Sequence, residues 1–410
     1  MGNILVFRAM KIVRSIWFRP AAYALAALAT ILFTPFLAQL VPDGWAGAVN
    51  LESVETTLNI LASSMLAVAI FALATMFSAF QAAAQAATPR ARPLMTQDRT
   101  AQSAISTFIG AFLFSLLGLV GLTTSLYTEA EILVLFALSL ILVAIVVFTF
   151  ITWIQRLTGF GGVEEAILSI EEATRAALAH DAKFPNLGAK PADSPAKNSK
   201  PVPAGPPGYV QSVDVGHLAK IAEDHDVRIF VEASPGSYVG PGQPLAYVTG
   251  KVDAVSDDIR AAFVTDARRT FEADPRFGLI ALSEIASRAL SPAVNDPGTA
   301  ISVLAAMARL FCARAATDPQ DACKPVDGVL ARPMNESELI EDAFRAMARD
   351  GAGHVEVGIR LQKTLAMLIA ADTDRYGNAA RAMSRDAIDR AERALTQDAD
   401  IRAVKAAMKD

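Results

Sequence analysis

Cysteine is almost missing from the chain, with only Cys312 and Cys323 among 410 residues. That rules out a disulfide-stapled scaffold and an all-cysteine metal cage, and in a reducing compartment both residues are expected to stay as thiols. Histidine is scarce too, at four. His217 and His225 stand near Asp214, Asp224 and Asp226. On a helix, however, eight residues separate the two rings by about 12 Å along the axis, too far to share one ion through bonds near 2 Å. No metal and no cofactor are expected. A basic excess is lacking as well: 37 Lys and Arg against 42 Asp and Glu give a net charge of −5, so no nucleic-acid face is expected. The chain has no Ser/His/Asp order, no HExxH, no P-loop and no dinucleotide GxGxxG. No catalytic residues are assigned and no enzymatic activity is expected.

The most informative absence is local. Lys, Arg, Asp and Glu are missing from four runs, Ala21–Val41, Leu58–Phe80, Ala104–Leu126 and Ile132–Trp153. A helix rising about 1.5 Å per residue crosses roughly 30 Å of hydrocarbon in about 20 residues, so each run predicts a transmembrane helix. Arg8, Lys11, Arg14 and Arg19 precede the first run, and Arg90, Arg92 and Arg99 lie between the second and third. The other two connections carry Asp43, Glu52, Glu55, Glu129 and Glu131 but no Lys or Arg. This alternation predicts both termini in the cytoplasm and a bacterial inner-membrane location. A basic start before an apolar run is also the grammar of a secretion signal, but the length of the first run and the three that follow argue for an uncleaved anchor.

The second run is rich in small residues, and its pattern continues through FSAFQAAAQAAT until Pro89. Ser64, Ala67, Ala74, Ser78 and Gln85 recur at spacings that share one helical face, with Gln81 beside them. Two readings follow. Small residues let helix backbones approach closely in lipid. The same stripe would also line an aqueous path at the centre of a homo-oligomer. No run holds an ionisable residue, which disfavours a carrier with a charged midplane site.

Beyond a membrane domain over 1–160 the composition predicts a cytoplasmic α+β part. Residues 161–180 read as an amphipathic helix, with Ile167, Ile170 and Leu178 as its apolar positions. Residues 181–207, dominated by Pro, Ala and Lys, read as a flexible linker. A small β-rich subdomain is expected over 208–254 and a helical domain over 255–410, with SDDIRAAFVTDARRTF as its first helix. The turn grammar of Ser234 to Val248 resembles that of lipoyl-like modules, but without the lysine at a hairpin tip that would carry a prosthetic group.

The stretch RALSPAVNDPGTA, Arg288 to Ala300, interrupts what otherwise reads as one apolar helix. The residue before a proline disfavours helix, so Ser291-Pro292 should close the helix that opens at Asp274-Pro275, and Asp296-Pro297 should open the next. A carboxylate at an N-cap accepts helical N–H groups, and proline at the first helical position has no N–H to lose. On that view the corner is a junction only. On the functional view Arg288, Ser291, Asn295 and Asp296 gather four polar groups beside a positive helix end, a corner for a small-molecule or protein partner. A capping carboxylate has committed lone pairs and a lowered pKa, which argues against a general acid or base there.

The spans joined by TPRARPLMTQDRTAQ, then GYVQSVDVGHLAKIA, SPGSYVGPGQPL and DPRFGLIALSEIASRALSPAVNDPGTA, together resemble a bacterial family of predicted membrane proteins, domain of unknown function 2254. The resemblance runs from about residue 60 to 305. It implies an N-terminal membrane part and a soluble C-terminal part, brings no activity, and lets no catalytic residue be carried over. The Pro/Ala/Lys stretch is longer here than the family pattern. The expected protein is therefore a four-span homo-oligomer in contact with membrane lipid, channel-like with a cytoplasmic regulatory domain. The alternatives are a non-conducting membrane scaffold or sensor and, less favoured, a membrane-bound enzyme.

Overall fold

A computed structural model describes residues 18–408 apart from 43–44, 46–47, 87, 91–93, 95–98, 125–126, 158–161 and 251. Arg8, Lys11, Arg14 and Arg92, on which the orientation argument partly rests, lie outside the described residues. The chain divides into two compact units, Phe7–Glu165 and a second that runs from Ala166 to Asp410.

The first unit is built from α1 (Phe18–Ala38), α2 (Leu51–Ala86), α3 (Arg99–Thr123) and α4 (Glu129–Leu157). Helix α3 packs against the other three and is the most enclosed of them. Its glycines permit this, Gly110 lying against the backbone of Tyr23, and Gly118 against Leu58 and Leu135. Outward, α1 and α4 present Leu25, Leu32, Phe36, Ile141 and Phe148, all exposed, as a hydrocarbon-facing surface requires. Buried hydroxyls bond carbonyls of their own helix: Thr34 to Thr30 at 3.1 Å, Ser106 to Gln102 at 2.6 Å and Ser139 to Leu135 at 2.7 Å. Those polar groups need no water inside the bundle.

Among the described residues five helices are long and apolar enough to cross a membrane, the four above and Pro297–Ala315. The fifth belongs to the second unit, where Val303, Leu304, Met307 and Phe311 are buried in a helical core and Arg309 and Arg314 are ion-paired.

Helix α5 (Val163–Lys183) enters the second unit and buries Ala166, Ile167, Ile170, Glu171, Thr174, Ala177 and Leu178. The next residues differ from the expected linker. Within 181–207 the chain forms a 3-10 turn at Pro185–Gly188, then strands β1 (Lys190–Pro191) and β2 (Ser199–Pro203). Composition misled here because both strands are outermost in their sheet, where proline's missing N–H is tolerated, and one fully buried side chain, Val202, anchors β2.

The chain continues through β3 (Gly208–Val213), α6 (Val215–His225), β4 (Ile229–Val231), β5 (Tyr238–Val239), β6 (Pro244–Thr249), α7 (Ser256–Ala261), β7 (Phe263–Asp266) and, much later, β8 (Val329–Ala331). A five-stranded mixed sheet has the order β1-β8-β4-β6-β2, and a three-stranded antiparallel sheet the order β5-β3-β7. The β-rich part therefore draws strands from residues 190 to 331, well outside the 208–254 boundary. SDDIRAAFVTDARRTF is a single helix turn or two followed by a strand, because β-branched Val264 and Thr265 beside Phe263 suit the edge of β3. β5 and β6, which flank the lipoyl-like turns, pair in different sheets, so they form no hairpin with each other. Gly242, at φ 84°, supplies the turn between them.

The remaining helices are α8 (Pro275–Ala289), α9 (Pro297–Ala315), α10 (Glu336–Asp350), α11 (Val355–Ala371), α12 (Thr373–Ala394) and α13 (Asp398–Ala406). Helix α8 packs on α9 and α10, and α11 on α9, α12 and α13. Phe311, Phe344 and Tyr376 meet at ring distances of 5.7 and 5.4 Å in the centre.

Candidate functional site

Helix α8 ends at Ala289 and α9 begins at Pro297, so the corner falls where the prolines place it. Asp296 Oδ1 accepts the Thr299 N–H at 3.1 Å and its Oδ2 accepts the Thr299 hydroxyl at 2.6 Å. Those bonds, the hydroxyl first, hold its carboxyl below the usual carboxylate range. Ser291 Oγ donates to the Arg288 carbonyl at 2.6 Å, and Asn295 takes φ 50°, the left-handed conformation an asparagine tolerates in a tight turn. The Asp296 N–H reaches back to the Ala289 carbonyl at 2.8 Å and closes the corner. Arg288, Asn295 and Asp296 are exposed and Ser291 is half-buried. Sequence proximity thus brings the four together on a projecting, solvent-facing turn. Their Ser291 and Asp296 side chains are taken up by local bonds.

The second unit also holds buried ion pairs that the sequence reading did not single out. Glu171, almost fully buried, accepts two bonds from Arg309, at 2.9 and 2.6 Å, and one from Arg175 at 2.5 Å. Arg314, with its side chain 8% exposed, bonds Asp181 at 2.8 Å and Glu336 at 2.9 Å. Beside it, Tyr376 donates to the Phe311 carbonyl at 3.3 Å, and burial, with Glu336 nearby, pushes its phenol up to about 12. Asp274 caps α8 through the Phe277 N–H at 3.1 Å and takes a fork from Arg269 at 2.7 and 3.0 Å. Burial nevertheless raises its carboxyl, outweighing the arginine. A signal for the first cluster existed, since Glu171 interrupts the apolar face of α5 four residues after Ile167 and three before Thr174. Among the described residues no group of three or more His, Cys, Asp and Glu is placed to hold a metal ion.

In the first unit the six residues of the small, polar stripe lie on α2. Its bundle-facing side is a different one: Val54, Leu58, Leu61, Met65, Ala69, Ala72 and Met76 are buried. At 100° per residue the stripe lies nearly opposite that side. Ala67, Ala74, Ser78 and Gln81 are exposed and Ser64 half-buried, while the side chain of Gln85 lies outside the described residues. Ser64 Oγ donates to its own helix at the Ile60 carbonyl, 2.6 Å away. Ile60 and Phe71, both exposed, share this side, so it is not uniformly small or polar. Together these residues form an outer seam that the rest of the unit leaves largely uncovered, although Phe71 meets Trp153 edge-on at 6.1 Å.

The description "Predicted membrane protein (DUF2254)" matches residues 13–367. Similar curated proteins are an uncharacterized protein of Mycobacterium bovis and one of Mycobacterium tuberculosis, each 34% identical over 135 residues, 30% of this chain and 26% of the relative. The chain thus spans about a quarter of the length of the curated relatives it matches. No solved structure matches. With a family match over most of its length and apolar helices in the expected places, the chain belongs to the DUF2254 family of predicted membrane proteins.

Proposed function

We propose that the protein is a four-span homo-oligomer of the bacterial inner membrane, with both termini in the cytoplasm, in which copies of α2 meet along their outer seam around a central, channel-like conduit. The observation that carries this reading is the outer face of α2, which its own bundle leaves largely uncovered and on which Ala67, Ala74 and Ser78 are exposed. Small residues on such a face allow a neighbouring helix to come close in lipid. The second unit would be the cytoplasmic regulatory part, with the Arg288–Asp296 corner as its candidate contact for a ligand or subunit. Because the corner's carboxylate is committed to capping, we propose no catalysis there.

Cysteine cross-linking in native membranes tests the seam. With Cys312 and Cys323 replaced by serine, Ala67→Cys and Ala74→Cys should each give an oxidised dimer, while Leu73→Cys, exposed but off the seam, should not. Equal cross-linking at Leu73→Cys, or none anywhere, would count against the reading.

A second reading, a non-conducting scaffold or sensor, draws support from the hydroxyls that bond their own helices and from the lack of ionisable residues in the four runs. A tightly closed seam of that kind needs no water. Oligomers that cross-link at Ala74→Cys yet pass no solute in liposomes would favour it.

A further inference from the structure

We propose that α13 is a releasable strap: it leaves its seat while the rest of the second unit stays folded, and the seat it uncovers receives a short helix that presents a valine and, three residues on, an alanine. Helix α13 covers nine residues and buries one of them, Val404, with Ala407 buried just past its end. Helices α11 and α12, on which it packs, bury six and seven. A helix of nine residues is marginal on its own, so α13 depends on that seat. The seat allows close approach but little grip. A Cβ on Gly358 would stand 3.0 Å from Val404 Cγ2, so only glycine lets the valine in, and a small cavity remains beside Val404, lined also by Gly351, Leu361, Ala387 and Ala391. Three features let the strap go. The polar floor of the cavity is satisfied without it: Ser384 Oγ donates to Gln362 Oε1 at 2.5 Å and Gln362 Nε2 to the Ser384 carbonyl at 3.3 Å, so release leaves neither without a partner. Lys405 pairs with Glu392 of α12 where the two side chains are 48% and 40% exposed, and a solvated pair contributes little. The bend between α12 and α13 is not written into its own residues, since Leu395, Thr396 and Gln397 include neither glycine nor proline, and Gln397 stands at the N-cap of α13 without a side-chain bond to it. Helices α5, α9 and α10 differ, being tied together through buried Arg314.

The seat also supplies a lock. A Cβ on Gly358 would lie 3.9 Å from Val404 Cβ, inside the range of about 3.5–4.5 Å that a disulfide spans. The test is amide hydrogen exchange of the full-length protein, with Cys312 and Cys323 replaced by serine, followed by mass spectrometry. In the parent, the amides of α13 are expected to exchange at least about tenfold faster than those of α11. Val404→Ala should quicken exchange in α13 and leave α11 unchanged. The oxidised pair Gly358→Cys with Val404→Cys should slow α13 by about tenfold or more, and reduction should restore the parent rate. Should the paired variant fail to fold, Val404→Ala carries the comparison alone. A labelled peptide of residues 396–410 should bind the full-length Val404→Ala protein, whose own strap is weakened, and not the oxidised pair. Equal exchange of α13 and α11 in the parent, or equal quickening of both by Val404→Ala, would overturn the proposal, because the unit would then open as one body. An oxidised pair that leaves α13 exchange unchanged would do the same, since α13 would then unravel in place. A peptide that binds both proteins alike, or neither, would refute the helix seat.

Discussion

The two units bury polar groups in different ways. In the membrane unit several interior hydroxyls turn back on their own helices, as Ser106 does to Gln102 and Ser139 to Leu135, while Ser115 Oγ is buried without a partner, and the four runs contain no charge. In the second unit the helices are joined by charge pairs with at least one buried partner, α5 to α9 through buried Glu171 and half-exposed Arg309, and α5, α9 and α10 through buried Arg314. On the reading proposed above, the difference follows from the medium each unit assembles in. A helix in hydrocarbon must satisfy its polar groups before it meets a partner, so its hydroxyls bond locally and leave its faces free to pack by shape. A helix in water keeps its charges solvated until packing, and then needs a partner of opposite sign to offset desolvation. The membrane unit can therefore leave one helix face, that of α2, open to a further copy, whereas the second unit is stitched together internally.

The largest expected effect tests that stitching. Arg314→Ala leaves Asp181 and Glu336 without their shared cation, and should destabilise the second unit by about 3 kcal/mol, read as a Tm lower by roughly 6–12 °C. Ala74→Leu on the outer seam of α2 should leave Tm unchanged while lowering the oligomer size, since the bundle does not pack on that face. A Tm loss at Ala74→Leu equal to that at Arg314→Ala would erase the contrast between the units.

Next in size is steric. A methyl group on Gly278 would overlap Thr174 where α5 crosses α8, so Gly278→Ala should cost about 1–3 kcal/mol, with Thr174→Ala in the same chain recovering part of it. Additive losses in the double variant would place the two residues out of contact.

The corner should respond more weakly. Asp296→Ala removes a cap and should cost about 1 kcal/mol, with Asp296→Asn nearly harmless, as measured by thermal unfolding at neutral pH. Because capping lowers the Asp296 pKa, its contribution is present above the ordinary carboxylate range and is lost as pH falls through the folded value. Asp296→Ala should therefore flatten the acid limb of the stability profile slightly, and an unchanged limb would mean that the cap contributes little.

The smallest effect is spectroscopic. An unfolded tyrosine ionises near 10, whereas Tyr376 is pushed up to about 12. The stability this group supplies is full below pH 10 and disappears as pH rises through 12. Ultraviolet titration should show late-ionising tyrosine absorbance, the latest part of which Tyr376→Phe removes. A titration unchanged by the substitution would assign the late step elsewhere.

Much of this was legible in the sequence, and what was not has identifiable causes. Helix ends were written locally: Asp274-Pro275, Asp296-Pro297 and Asn335 each stand at an N-cap and accept a helical N–H. Long uncharged runs were legible because hydrocarbon demands about 20 apolar residues in succession. Strands β1, β2 and β8 were not, being two to five residues long and held by partners more than a hundred residues away or on an edge rich in proline. The fifth apolar helix, α9, is not one of the uncharged runs, because Arg309 and Arg314 interrupt it. Of the candidate sites, the corner's local bonds could be read from residue types alone. The orientation of α2 could not: two opposed faces both carry helix-like spacing, and only the packed bundle tells which is covered.

The central claim is that the outer face of α2 meets copies of itself, and imaging the intact protein in a lipid nanodisc tests it most directly. The account predicts a closed ring of subunits in which Ala67, Ala74 and Ser78 face the symmetry axis and the leucines and phenylalanines of α1 and α4 face lipid. A monomer, or a ring whose axis is lined by α1 or α4, would contradict it.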